Sequence, residues 1–346
     1  MRQQWWVLLT VITVGFDSSR ALAAQAVEAD VRVRLESIDG SRISGALVAL
    51  MDSADQVVRE GVSGEDGARS LRAPAGSYRV RVRRIGFHPF VSDPVTVVPG
   101  GEITLRVESP RILLETIVVK SRSNCGPIDP RDQILSTVWD EIAKALRASQ
   151  LSPRDFSDVA NAYVYRKNFD SHGVVVSSDT SFRPVGTTKP FRVRDPQALA
   201  AHGYVVGNER EGWIYYAPDE QVLLSDQFAS THCFQVVRDK ARPGQVGIEF
   251  KPVSGRSMPD VAGVLWVEES TAELRELIFR YVNAGPLERF KAGGFARFRR
   301  VASGGWIVDD WALRGPILQK GTDFFTDLKV VGYVEDGGGM TRRRTQ

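Results

Sequence analysis

The sequence predicts a mainly β protein: an amino-terminal β-sandwich, a connecting helix and a second β-rich domain. Three observations carry that prediction. Between Val31 and Val107, short runs alternate apolar with charged residues and are cut by glycine turns, which is the period of strands with one face buried. A single stretch around residues 130–146 places its apolar residues at helical spacing instead. Beyond Val159 the strand pattern returns and continues to about Glu335.

The chain opens on Arg2 and the apolar run Trp5–Phe16, after which Ala21-Leu22-Ala23 offers small residues where a signal peptidase reads. Residues 1–23 therefore read as a secretory signal, with cleavage after Ala23 or after Ala26. The run holds 12 residues, short of the roughly 20 that cross a bilayer as a helix, and a membrane anchor is the competing reading. No cysteine follows the cleavage site to take a lipid.

Residues 27–119 form the sandwich. Val31, Val33 and Leu35 alternate with Arg32, Arg34 and Glu36, and Ile103, Leu105 and Val107 repeat the pattern. Gly64 and Gly67 permit a reversal between residues 56–62 and 68–73. Ala73-Pro74-Ala75-Gly76 suits a type I turn into the strand where Tyr78, Val80 and Val82 alternate with Arg79, Arg81 and Arg83. About seven strands result, at the spacing of a sandwich. Gly45-Ala46 with Val48, then Asp66-Gly67, Pro74-x-Gly76-x-Tyr78 and Ile85-Gly86-Phe87 resemble the carboxypeptidase regulatory-like family over about residues 28–119. The resemblance implies a transthyretin-like fold and a non-catalytic accessory or interaction domain of secreted and cell-envelope proteins. Leu114–Val119 resembles the segment that follows such domains in TonB-dependent outer-membrane receptors. The residues after it lack the alternating strands of a membrane barrel, so it reads as a last strand.

Residues 120–158 form a linker with a helix. Asp129 is its expected N-cap and Pro130 its first residue, and Ile134, Leu135, Val138, Trp139, Ile142, Ala145 and Leu146 make the apolar stripe. Asp140, Glu141 and Lys144 leave a polar face of mixed charge, so the second domain's sheet, not a membrane, is the expected cover. Pro153 bounds the helix.

Residues 159–336 form the β-rich domain. Strands are expected at residues 163–165, 174–176, 213–216, 263–268, 274–282, 295–301, 306–313 and 324–334, with a short helix Pro196–His202 between Asp195 as cap and Gly203 as stop. Residues 255–315 resemble the curved antiparallel sheet of periplasmic lipoprotein-carrier proteins, which implies an open apolar concavity able to hold a lipid or contact a partner. Residues 337–346, with Arg342-Arg343-Arg344, read as a flexible basic tail.

Chemistry is sparse. Cys125 and Cys233 are the 2 cysteines; in an oxidising compartment they read as one disulfide, with two separate buried thiols as the alternative. A catalytic cysteine is disfavoured because His232 beside Cys233 points to the opposite face of a strand. None of His88, His172, His202 and His232 opens a zinc-peptidase motif, and neither a serine-hydrolase elbow nor a phosphate loop is present. Asp179-Thr180-Ser181 is similar to an aspartic-peptidase triplet, but no second triplet exists to share a proton, and it reads as a polar turn. A net charge of +3 on a chain with 25% charged residues gives nucleic-acid binding no electrostatic support.

Two groups suit binding. Trp213 and Tyr215 share one strand face, away from Tyr216, and could stack on a sugar or pack as core; Arg79, Arg81, Arg83 and Arg84 form a basic strip that could meet acidic polysaccharide or lipid head groups or simply be solvated. The expectation is a non-enzymatic protein without cofactor or metal, periplasmic or outer-membrane-associated. It would act on an unidentified envelope protein or, alternatively, carry a hydrophobic ligand, with peripheral outer-membrane contact.

Overall fold

The computed structural model describes residues 28–114, 123–152, 159–186, 190–208, 212–290, 292–320 and 328–343. The expected signal peptide, Pro153 and the segment 115–119 of the expected last sandwich strand lie outside the described residues.

The amino-terminal unit is a sandwich of β1 (Glu28–Ser37), β2 (Leu47–Met51), β3 (Val57–Val62), β4 (Ala68–Pro74), β5 (Gly76–Arg83), β6 (Phe90–Val91), β7 (Val95–Val97) and β8 (Glu102–Val107). One sheet runs β4-β1-β8 and the other β3-β2-β5-β6, with β7 also on β5. The alternation read from the sequence sets their faces: Val31, Val33 and Leu35 are fully buried against a core that includes Val48, Leu50, Val80 and Val82. Each such side chain contributes on the order of 1.5–3 kcal/mol. Gly67 turns with φ +71°, and a Cβ there would sit 2.9 Å from the Leu35 carbonyl oxygen, so only glycine fits the reversal.

The chain then forms β9 (Asn124–Cys125) and α1 (Gln133–Leu151). The helix starts later than the sequence suggests. Asp129 is occupied by the backbone N–H and guanidinium of Arg131, whereas the Asp132 carboxylate accepts from Leu135 N at 3.0 Å and caps the helix. Leu135, Val138, Ile142, Ala145 and Leu146 are fully buried, as the helical spacing requires.

The remaining elements are β10 (Val159–Asp170), β11 (Val175–Arg183), α2 (Pro196–His202), β12 (Val205–Asn208), β13 (Gly212–Tyr215), α3 (Glu220–Leu223), α4 (Asp226–Thr231), β14 (His232–Val237), β15 (Gln245–Pro252), β16 (Asp260–Glu268), β17 (Leu274–Val282), β18 (Gly293–Arg300), β19 (Trp306–Lys320) and β20 (Leu328–Arg342). Asp195 and Gly203 bound α2 as expected, the first accepting from Gln197 N and Ala198 N and the second at φ +80°. Ten strands make one antiparallel sheet in the order β11-β10-β20-β19-β18-β17-β16-β15-β14-β9. The architecture is therefore mainly β: sandwich, helix, large antiparallel sheet.

Two segments differ from the sequence reading. Asp179-Thr180-Ser181 lies inside β11, paired with Arg166, Tyr165 and Val164 of β10, and not in a turn. Residues 337–342, expected in a flexible tail, are strand, because the run Gly337-Gly338-Gly339 is held between β10 and β19. A Cβ on Gly337 would fall 2.3 Å from the Tyr165 ring, and one on Gly339 2.8 Å from the Tyr163 hydroxyl. The glycines leave room for aromatic rings from the neighbouring strand.

Helix α1 lies between the two units. Its stripe shares one core with the sheet, and Leu47, Val62 and Leu114 of the sandwich join that same core. Glu141 and Lys144, both fully buried, meet at 2.6 Å; Glu141 also accepts from Gly86 N at 2.7 Å, and Lys144 donates to the Phe87 carbonyl at 3.0 Å. The sandwich turn is thus hydrogen-bonded to the helix at both partners of a buried ion pair. Backbones also touch directly: a Cβ on Gly45 would sit 2.2 Å from the Gly304 carbonyl oxygen. Cys125 and Cys233 form a disulfide that ties β9 to β14 at one edge of the sheet.

Candidate binding groove

Helix α1 covers the middle of the sheet but not its β11 end. There the inner face is roofed by the hairpin β12–β13, and between roof and sheet runs an open groove of about 810 Å³. Register decides which side chains line its floor. Ser181, Val164, Gly338 and Trp311 form one row across β11, β10, β20 and β19, and Asp179, Arg166, Asp336 and Leu313 form the next. Residues directly opposed in adjacent strands share a face, and Trp311 and Leu313 pack onto the main core, so both rows belong to the inner face.

The roof explains itself locally. Strand alternation puts Trp213 and Tyr215 toward the sheet and leaves Ile214 more exposed. A Cβ on Gly315 would come within 2.6 Å of the Tyr215 ring, so the missing side chain lets the hairpin close on β19. Tyr215 meets Tyr281 at 5.3 Å between ring centroids, and Phe191 meets Trp311 at 5.2 Å. Trp213 and Tyr215, the pair singled out by their spacing, are thus brought together with Phe191, Trp311, Leu313 and Ile317.

The groove is apolar below and charged at one row. Arg166 grips Asp336 through two hydrogen bonds of 2.6 and 2.8 Å, and Asp179 stands beside it in register. Among the described residues, Trp213 Nε1 and Tyr215 Oη are buried without a hydrogen-bond partner. Burial also pushes the Tyr215 hydroxyl well up, so it stays a neutral donor. Two unmet donors and a ring-lined floor suit an occupant with an apolar body and an acceptor.

The other candidates resolve differently. His232 is fully buried, with Nδ1 against the Phe228 carbonyl at 3.1 Å and Nε2 3.2 Å from Asp260, whose other oxygen holds Arg256. These contacts tie α4 and β14 to β16, and the imidazole is stacked on Phe228 at 4.0 Å. Among the described residues no group of three or more His, Cys, Asp or Glu is placed to hold a metal ion. No described helix is long and apolar enough to cross a membrane. In the basic strip, Arg79 pairs with Asp55 and Arg83 with Asp140, while Arg84 lies over the Phe87 ring.

Residues 30–109 match the carboxypeptidase regulatory-like domain, so the chain carries that domain as its sandwich. No curated protein matches the chain. Among solved structures, the TIE protein of Bacillus anthracis aligns at 10% identity and TM-score 0.21 over 88% of this chain, which spans only 47% of that one. The major pilin subunit of Bacillus cereus aligns at 11% identity and TM-score 0.22, covering 90% of this chain and 95% of the pilin. A shaft pilin of Lactobacillus rhamnosus GG gives 8% identity and TM-score 0.20, with 71% and 95% covered. Scores that low fall short of a shared overall fold.

Proposed function

We propose that this chain is an exported cell-envelope protein that acts by binding, without catalysis, and that its binding site is the groove beneath the β12–β13 hairpin. One observation carries the reading: an open space of about 810 Å³ in which Trp213 and Tyr215 face Trp311, Leu313 and Ile317 across the uncovered end of the sheet. A cleft of that size, mostly apolar with a few polar groups, is the usual form of a small-ligand site. The occupant is an apolar or amphiphilic molecule whose polar end meets Arg166, Asp179 or Asp336. The carboxypeptidase regulatory-like sandwich is the accessory unit and braces α1. The signal-like amino terminus and the disulfide support export to an oxidising compartment, the periplasm or the outer-membrane periphery.

Native mass spectrometry of the purified protein tests this, together with titration of the apolar dye 1-anilinonaphthalene-8-sulfonate. A co-purifying lipid-like mass and saturable dye binding are expected. Ile317→Trp, which fills the groove from a partly exposed position, should abolish both while leaving the unfolding temperature within a few degrees. No bound mass together with dye binding unchanged by Ile317→Trp would remove the groove as the site.

A further inference from the structure

A second pocket, of about 150 Å³, lies where the sandwich meets the sheet, and three arginines converge on it. Arg84 comes from the turn after β5, Arg111 from the segment that bridges back to Phe87, and Arg300 from the end of β18. Arg84 and Arg111 both belong to the sandwich and lie over the same Phe87 ring, so the docking of the two units is what brings Arg300 to them. Their placement is fixed by neighbours that do not cancel charge. The Arg84 guanidinium lies 4.5 Å from the Phe87 ring centroid and that of Arg111 lies 5.8 Å from the same ring. Arg300 donates to the Ser44 carbonyl at 3.1 Å. Among the described residues none of the three has a carboxylate partner. Glu273 is the acidic residue lining the pocket, and its carboxylate is 3.1 Å from Arg275.

Like charges gathered in a half-buried cleft repel one another and lose solvation. Burial, then Arg300 and Arg111, pull the Arg84 guanidinium below its ordinary value, which agrees with that crowding. Ser270 and Thr271 complete the lining. At about 30 Å³ per water, the pocket holds a group of a few heavy atoms and excludes a nucleotide. Three guanidinia against one carboxylate leave an excess of two positive charges, and planar forked donors pair bidentately with oxyanions such as phosphate.

We propose that this interdomain pocket binds a phosphate group, with Arg84, Arg111 and Arg300 as its ligands and Ser270 and Thr271 at its rim. The phosphate belongs to a free monoester or to the head group of an anionic lipid; both present the same oxyanion. Because the ligands come from both units, occupancy ties the sandwich to the sheet, and binding stabilises the native state by mass action.

The test is calorimetric titration of the full chain with inorganic phosphate and with glycerol 3-phosphate, alongside sedimentation with phosphatidylglycerol vesicles and with neutral phosphatidylcholine vesicles. Saturable binding of the soluble phosphates, with a raised unfolding temperature, is expected if the source is a free monoester. Sedimentation with the anionic vesicles alone is expected if it is a lipid. In either case Arg111→Gln, at an exposed position that leaves the fold intact, weakens binding about tenfold or more. Arg131→Ala, at an exposed arginine paired with Asp129 and outside the pocket lining, leaves it unchanged. Binding to neither probe, or binding equally weakened by Arg131→Ala, overturns the proposal. So does an Arg84→Gln variant that loses stability by the same amount with and without phosphate, which would mark the cluster as packing alone.

Discussion

At the scale of single residues, the buried α1 pair Glu141–Lys144 ties the helix to the sandwich through Gly86 N and the Phe87 carbonyl. Burial pushes the Glu141 carboxyl above its usual range, against the pull of the Lys144 ammonium and the Gly86 N–H. A carboxyl raised in the folded state gives stability that is fully present below its unfolded pKa and is lost as pH rises through the folded value. Compared with Glu141→Gln, which does not titrate, the wild-type chain should therefore lose stability as pH rises from about 4. Urea unfolding of both proteins across that range checks the sign; a difference that grows in the other direction refutes it. Lys144→Met removes one partner and leaves the other buried, with an expected cost of about 3–5 kcal/mol. Adding Glu141→Gln to Lys144→Met should restore most of that, since the amide oxygen still accepts from Gly86 N.

At the scale of elements, the strand of three glycines in β20 shows how neighbours override composition. Read alone, Gly337-Gly338-Gly339 followed by basic residues has no apolar alternation and looks unstructured. In the fold each glycine lies beneath or beside a ring, from Tyr165, Trp311 or Tyr163. Gly337→Val should cost about 1–3 kcal/mol by overpacking, and pairing it with Tyr165→Ala should relieve much of that cost; chemical denaturation of the four proteins in the cycle decides. Other elements were legible or not for equally local reasons. The sandwich strands and α2 followed from alternation, caps and glycine stops, all short-range signals. Strands β14 and β15 were not among those expected, because helices cover one face while Trp266 and Arg242, stacked 5.1 Å apart, shield part of the other. That cover leaves β14 and β15 buried on successive residues and blurs the period of two. Of the groove, the sequence displayed Trp213 and Tyr215, on one face of a strand, and Asp179 and Ser181 within a segment that reads as a polar turn. Phe191 joins them from about 20 residues upstream, and Trp311, Leu313 and Ile317 from about a hundred downstream, so no local pattern marks the set.

At the scale of the whole molecule, the sandwich is recognisable as a separate family yet shares a core with the rest. Leu47, Val62 and Leu114 pack with α1 and the sheet, Arg147 reaches Glu60 at 2.8 Å, and Gly45 lies against Gly304. The disulfide adds a covalent tie across 108 residues of chain. Replacing both cysteines by serine should lower stability by about 5 kcal/mol in the loop-entropy model, read as a fall in the urea midpoint that dithiothreitol reproduces in the native protein. A midpoint insensitive to both would mean that the noncovalent contacts of β9 suffice. The same bond also sets an order in time. Cys125 has no partner until the chain has been extended to Cys233, and by then every residue of the sandwich's own core, which ends at Val107, has long been available to fold. Cys233 in turn precedes β15–β20, so the bond can close before most of the sheet has been made.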